Sequence, residues 1–157
     1  QTIAELSNYQ RGNDRTSLGS RFSLWIVGIE IFKQHPLGIT REARYLAAEE
    51  LVKGQPQNRA ALRFINSHLH NEMIEAASLQ GIFGLLALLT FYVSLFISAV
   101  VRHNTALFVI GCCAVVYGLT DVMMISQESL MFLLACIAVF FPYTDPRRQS
   151  QVSGSLR

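Results

Sequence analysis

The chain has 157 residues, 51% of them hydrophobic and only 15% charged, with a formal net charge of +2. So small a surplus, with basic and acidic residues interleaved, excludes a nucleic-acid-binding surface, which needs a concentrated basic face. The average hides a division: the first 78 residues carry 17 of the 24 charges and the remainder is dominated by apolar runs, so half of the chain suits water and half a lipid bilayer.

The chain opens at Gln1 in a polar stretch, with neither a methionine nor a signal-peptide pattern, and is therefore expected to be the C-terminal piece of a longer multi-span protein. Residues 1–19, with Gly12, Asn13, Asp14 and Gly19, read as loop. Ser20 suits the N-cap of a helix running to about Gln34, stopped by Pro36 and Gly38. This helix is apolar on most sides, with Ser23 and Glu30 on one narrow polar stripe, so it should lie against membrane or protein, and it is too short to span a bilayer. Thr40 precedes a second helix, Arg41 to Lys53, ended by Gly54 and Pro56 and read as solvated from Glu42, Glu49, Glu50 and Lys53. A third helix is expected from about Asn58 into the first membrane span.

From Gly81 to Val101 there are 21 residues without a charge, enough for a helix to cross about 30 Å of hydrocarbon. Spans are expected at 81–101, 105–125 and 129–142, dividing the chain into a loop domain, 1–78, a membrane domain, 79–142, and a tail, 143–157. Arg102 with His103, and the tail with Arg147, Arg148 and Arg157, fall on one side, which the positive-inside rule makes cytoplasmic, leaving residues 1–78 outside. The nine Lys/Arg of that outer segment do not contradict this, because long loops translocate largely regardless of charge. Cys112, Cys113 and Cys136 all sit in apolar runs, where free cysteine behaves as a small hydrophobe, and no metal-type cysteine spacing exists.

Few residues offer chemistry. Arg21, just after the expected N-cap, is unusual because a helix N-terminus disfavours cations; a phosphate shared by the guanidinium and the free amides would explain it, against solvated surface as the plainer alternative. His68 and His70, two apart on the expected helix, would be turned about 200° from each other and could not chelate together. On that helix Asn66, His70, Met73 and Ala77 would share a face, while Glu72 and Glu75 would be solvated acids, Glu72 within reach of orienting an imidazole. Gly81 and Gly84 read as close helix packing. Asp121 is the lone carboxylate of the expected second span, and an intramembrane acid is by default a candidate for function. With no Asp-x-Asp or other acidic cluster, no metal site for a diphosphate is expected, and no phosphate loop or dinucleotide fingerprint is present, so no cofactor is expected either.

The run Ser17-Leu-Gly-Ser-Arg21-Phe-Ser-Leu-Trp25, the Pro36-Leu-Gly38 stop, and His68-Leu-His70-Asn71 followed nine residues later by Gly81-Ile-Phe-Gly84 resemble the O-antigen ligases of Gram-negative bacteria, within the wider family of O-antigen ligases and polymerases. The resemblance covers roughly residues 15–120 in one register. It implies an all-α, polytopic inner-membrane glycosyltransferase of the GT-C type, with a large periplasmic loop and a cytoplasmic C-terminus. The implied reaction moves O-antigen polysaccharide from undecaprenyl diphosphate to lipid A-core, without ATP or metal. Residue by residue, Arg21 matches the family's loop arginine and His70 its essential histidine, with Asn71 as a supporting substrate contact; a further essential arginine should lie upstream. An O-antigen polymerase or a protein O-oligosaccharyltransferase would use the same donor with a different acceptor. A transporter or non-catalytic membrane protein would treat His70 and Arg21 as structural.

Overall fold

A computed structural model of the chain describes residues 17–142. The expected loop at 1–16 and the basic tail after Pro142 lie outside the described residues. All regular structure among the described residues is helical: α1 (Ser17–Gln34), α2 (Arg41–Gly54), a 3₁₀ helix (Pro56–Arg63), α3 (Glu72–Val101), α4 (Thr105–Thr120) and α5 (Gln127–Phe140). The described residues form two compact units, 17–88 with 118–122, and 89–117 with 123–142.

In the first unit, Leu24, Val27 and Ile31 recur at helical spacing along α1 and are buried against Ala48 and Val52 of α2 and Ala61, Ile65 and Leu69 beyond it. Ser23 is fully buried as well, so the expected polar stripe does not reach water at that point; Glu30 does, pairing with Lys33 at 2.7 Å. The helix already includes Ser17 to Ser20, so Ser20 is not its cap and Arg21 stands one turn inside it. Thr40 is a true cap, its Oγ1 accepting from Ala43 N at 3.3 Å. On α2, Arg44, Ala48 and Val52 occupy one face at four-residue intervals and are buried, so the helix is not simply solvated: an arginine sits in the core.

The third helix expected from Asn58 does not form. Pro56 starts a 3₁₀ helix that ends at Arg63, the chain then turns irregularly through residues 64–71, and α3 begins only at Glu72. Asn71 is the reason for that start: its Oδ1 accepts from Ile74 N at 3.1 Å, and Glu72 and Glu75 place negative charge in the first turn, where the helix dipole favours it.

Helix α3 is long and apolar enough to cross a membrane, and only 22% of its most apolar stretch is buried by protein, which distinguishes it from the core helix of a water-soluble fold. The other two expected spans correspond to shorter apolar helices of 16 and 14 residues. Helix α4 stops at Thr120 rather than near 125, because residues 121–126 turn and Ser126 caps α5, accepting from Ser129 N at 3.4 Å. Within the second unit, His103 takes a left-handed conformation (φ 51°) and lets Asn104 N return to Ala99 O at 2.8 Å, closing α3; Asn104 Oδ1 then caps α4 through Leu107 N at 2.9 Å. Asn104, buried, is thereby both the end of one helix and the start of the next.

Candidate functional site

Phe64 N and Ile65 N donate to Ala61 O and Ser67 N to Phe64 O, after which the backbone at Leu69 is held by side chains. At Leu69 the N–H donates to Glu75 Oε2 at 2.9 Å and the C=O accepts from Trp25 Nε1 at 2.9 Å, while the side chain is fully buried against α1. Gly28 permits that approach: a Cβ there would stand 2.6 Å from Leu69 Cδ1 and 2.7 Å from Ile74 Cγ2. Leu69 points inward, and with a left-handed turn at His70 the rings of residues 68 and 70 lie together.

His68 and His70 are therefore partners and not opposites. Their rings stand 4.2 Å apart, edge to face at 89°, which corrects the expectation that only one of them can face a given site. His70 also has a positive φ of 49°, a conformation uncommon outside glycine and often found where function over-determines the backbone. The other expectation from the absent helix, a shared face of Asn66, His70, Met73 and Ala77, falls with it. Asp121 completes the group, its Oδ1 lying 3.4 Å from His70 Nδ1 and 3.8 Å from His68 Nδ1. It sits just past the end of α4 rather than inside a helix, and its Oδ1 also accepts from Val122 N at 2.9 Å. Asn71 Nδ2 reaches Leu119 O at 3.4 Å, binding this stretch to the histidine segment.

Burial lowers the pKa of His70 below the ordinary imidazole value; the neighbouring His68 and the charge of Arg21 act in the same direction, and Asp121 opposes them. The imidazole is thus mostly neutral near pH 7 and able to accept a proton. The influence of Arg21 also means that the two residues singled out from the sequence share one electrostatic neighbourhood. Chemically the group can take up a proton at an imidazole or, through two nitrogens and a carboxylate, hold a metal ion.

Beneath the histidines, Arg44 is wholly inaccessible to water, as its side chain pairs with Glu75 at 3.0 Å, donates to Ile65 O at 2.5 Å and donates to Ser78 Oγ at 3.2 Å. Burial lowers the Arg44 pKa, with Glu75 opposing. Glu72 and Glu75 are both buried, contrary to the expectation of solvated acids. Gly81 supplies the remaining constraint. Its φ of 66° and ψ of −154° break α3, and a Cβ would strike Pro36 O and lie 2.5 Å from Gly38 N. The break lets the Pro36–Gly38 turn dock edge-on, with Ile39 N donating to Leu79 O at 2.9 Å and Ile82 N to Pro36 O at 2.8 Å. A Cβ on Gly84 would meet the side chain of Gln80 in its own helix. Among the described residues, neither glycine packs against another helix, as close helix packing would require.

Sequence reasoning singled out His70, Arg21, Asn71 and Asp121 but missed the service of His68, Trp25, Arg44 and Glu75. An Asn followed by two acids in the next turn is the signal of a helix start at that point, which leaves His68 and His70 outside the helix.

The family model described as O-antigen ligase matches residues 1–89. A protein named O-antigen ligase from Escherichia coli (strain K12) is 36% identical over 125 residues, which cover 79% of this chain and 30% of that protein. No solved structure matches the chain.

Proposed function

Because this chain belongs to the O-antigen ligase family, we propose that it contributes the histidine and loop-arginine part of an enzyme that transfers O-antigen from undecaprenyl diphosphate to a hydroxyl of lipid A-core at the periplasmic face of a bacterial inner membrane. The observation that carries this is His70, largely neutral and held by a doubly anchored Leu69, with Asp121 at one nitrogen and the charge of Arg21 acting on it. In the proposed step, the acceptor hydroxyl oxygen forms a bond to the anomeric carbon of the donor glycan as the bond from that carbon to the diphosphate breaks. The hydroxyl proton passes to His70 Nε2, while the negative charge of Asp121, 3.4 Å from Nδ1, favours the tautomer that carries its proton there. The diphosphate departs with the bonding electrons, and Arg21 stabilises the charge growing on it. No metal is needed for this step. The same reading makes the protein polytopic, with α3, α4 and α5 in the membrane, residues 1–78 periplasmic and the C-terminus cytoplasmic, so a reporter active only in the cytoplasm should be active when fused after Arg157.

The test is complementation of a ligase-null strain, reading the lipopolysaccharide ladder beside membrane expression. General-base assistance is worth about 10²–10⁴-fold in rate, so His70→Ala should abolish polymer on lipid A-core while lipid-linked O-antigen persists, and His68→Ala should keep substantial ligation. Equal ladders from the two variants would remove the base from His70. A wild-type protein that lengthens glycans but never attaches them to lipid A-core would assign it to polymerases instead.

A further inference from the structure

We propose that His68, His70 and Asp121 form a binding site for a zinc-class divalent transition-metal ion, and that its occupancy inhibits glycan transfer. The second half rests on the role of His70 in the proposed function; the binding itself does not. Tetrahedral zinc with bonds of about 2.0–2.2 Å to nitrogen and oxygen sets neighbouring donor atoms roughly 3.4 Å apart. Asp121 Oδ1 lies 3.4 and 3.8 Å from the two Nδ1 atoms, and the ligand atoms of all three residues fall within 4.8 Å of one another. Independently of those distances, both Nδ1 atoms are shielded from water and make no hydrogen bond of good geometry, so two buried ring nitrogens face one carboxylate with no hydrogen-bond partner of their own.

The chemistry of the donor set selects the ion. Two imidazoles and one carboxylate suit zinc, cobalt and copper, whereas magnesium and calcium require an all-oxygen shell. Three protein ligands leave a fourth position open, and side-chain exposures of 27%, 30% and 40% for His70, His68 and Asp121 leave the ion a way in from the surface. The backbone is already fixed for binding, since Leu69 between the histidines is gripped at both its N–H and its C=O.

Inhibition follows from proton placement. A neutral imidazole that coordinates a metal through Nδ1 must carry its single proton on Nε2. His70 then has no lone pair for the acceptor hydroxyl, and Asp121 is drawn from orienting the ring to binding the ion. The metal acts as a plug and not as a cofactor, in keeping with a transfer step that proceeds without one.

The intact protein in lipid nanodiscs, stripped with EDTA, is titrated with Co²⁺ and then Zn²⁺. One Co²⁺ should bind with the visible absorption of a tetrahedral site, and Zn²⁺ should displace it. His68→Gln and Asp121→Asn should each weaken binding by more than about 100-fold, beyond the 10–100-fold expected from losing a mere supporting contact. In the same preparations Zn²⁺ should suppress transfer by the wild type reversibly, and the ratio of transfer with Zn²⁺ to transfer in EDTA should rise toward one in His68→Gln. Absent Co²⁺ absorption, or absorption that survives both substitutions in protein of normal yield, overturns the site. A bound metal with unchanged transfer overturns the inhibition. Metal binding in a protein whose His70→Ala variant still ligates would overturn the base role of His70 and leave the metal site standing, so the two proposals fail separately.

Discussion

Replacing Gly81 by alanine should release the Pro36–Gly38 turn from α3 without unfolding the chain around it. The φ/ψ pair of 66° and −154° lies in a region essentially reserved for glycine, and holding another residue there costs about 1–3 kcal/mol. The new Cβ would also stand 2.5 Å from both Gly38 N and Leu37 C, well inside the ~3.5 Å of a favourable contact. The turn must therefore withdraw, giving up Ile39 N to Leu79 O and Ile82 N to Pro36 O, each worth about 0.5–1.5 kcal/mol net. Strain and lost bonds together make at least about 2 kcal/mol, roughly a thirtyfold shift against the docked turn. Hydrogen exchange followed by mass spectrometry should show faster exchange in peptides containing Ile39 and Ile82, and the lipopolysaccharide ladder should fade. Gly54→Ala is the control: nothing lies within 4 Å of a Cβ there, and alanine is the better helix former by about 1 kcal/mol. Unchanged exchange at both amides in Gly81→Ala, or an equal loss in Gly54→Ala, would refute the reasoning.

Arg44→Met should be among the most damaging changes in the loop domain, because it strands the buried Glu75 carboxylate; breaking such a pair from one side costs about 3–5 kcal/mol. The double variant Arg44→Met with Glu75→Leu should recover membrane expression relative to either single change, and a double worse than both would show that the charges themselves are required. Arg21→Lys should fail nearly as completely as Arg21→Ala in the ladder assay if the guanidinium grips a diphosphate with its planar fork; substantial retained ligation would reduce Arg21 to a generic positive charge.

Much of this was legible from the residues, and the losses have a common cause. Thr40, Pro36 and Gly38 carry local chemistry, so the ends of α1 and α2 came close to their expected places. The resemblance of the histidine signature to O-antigen ligases agrees with the family match. What failed was the stretch 58–71, where apolar residues at mixed spacing suit a helix on paper but Pro56 diverts the chain into a 3₁₀ helix and side chains then hold the backbone at Leu69. Every consequence of the assumed helix failed with it: the opposed histidines, the shared face and the solvated acids. The burial of Arg44 was not legible either, since its partners Ile65, Glu75 and Ser78 lie 21 to 34 positions away and the local pattern is that of a polar helix.

The grip on the histidine segment has a consequence for how such a protein can evolve. Trp25 and Glu75 hold Leu69 by its peptide groups, which residues of almost every type possess, while residues 68 and 70 bear none of the fastening. The side chain at position 68 can therefore be exchanged without loosening the frame that presents it. Drift at position 68 changes chemistry first and stability second, whereas position 70 is also bound by its left-handed backbone.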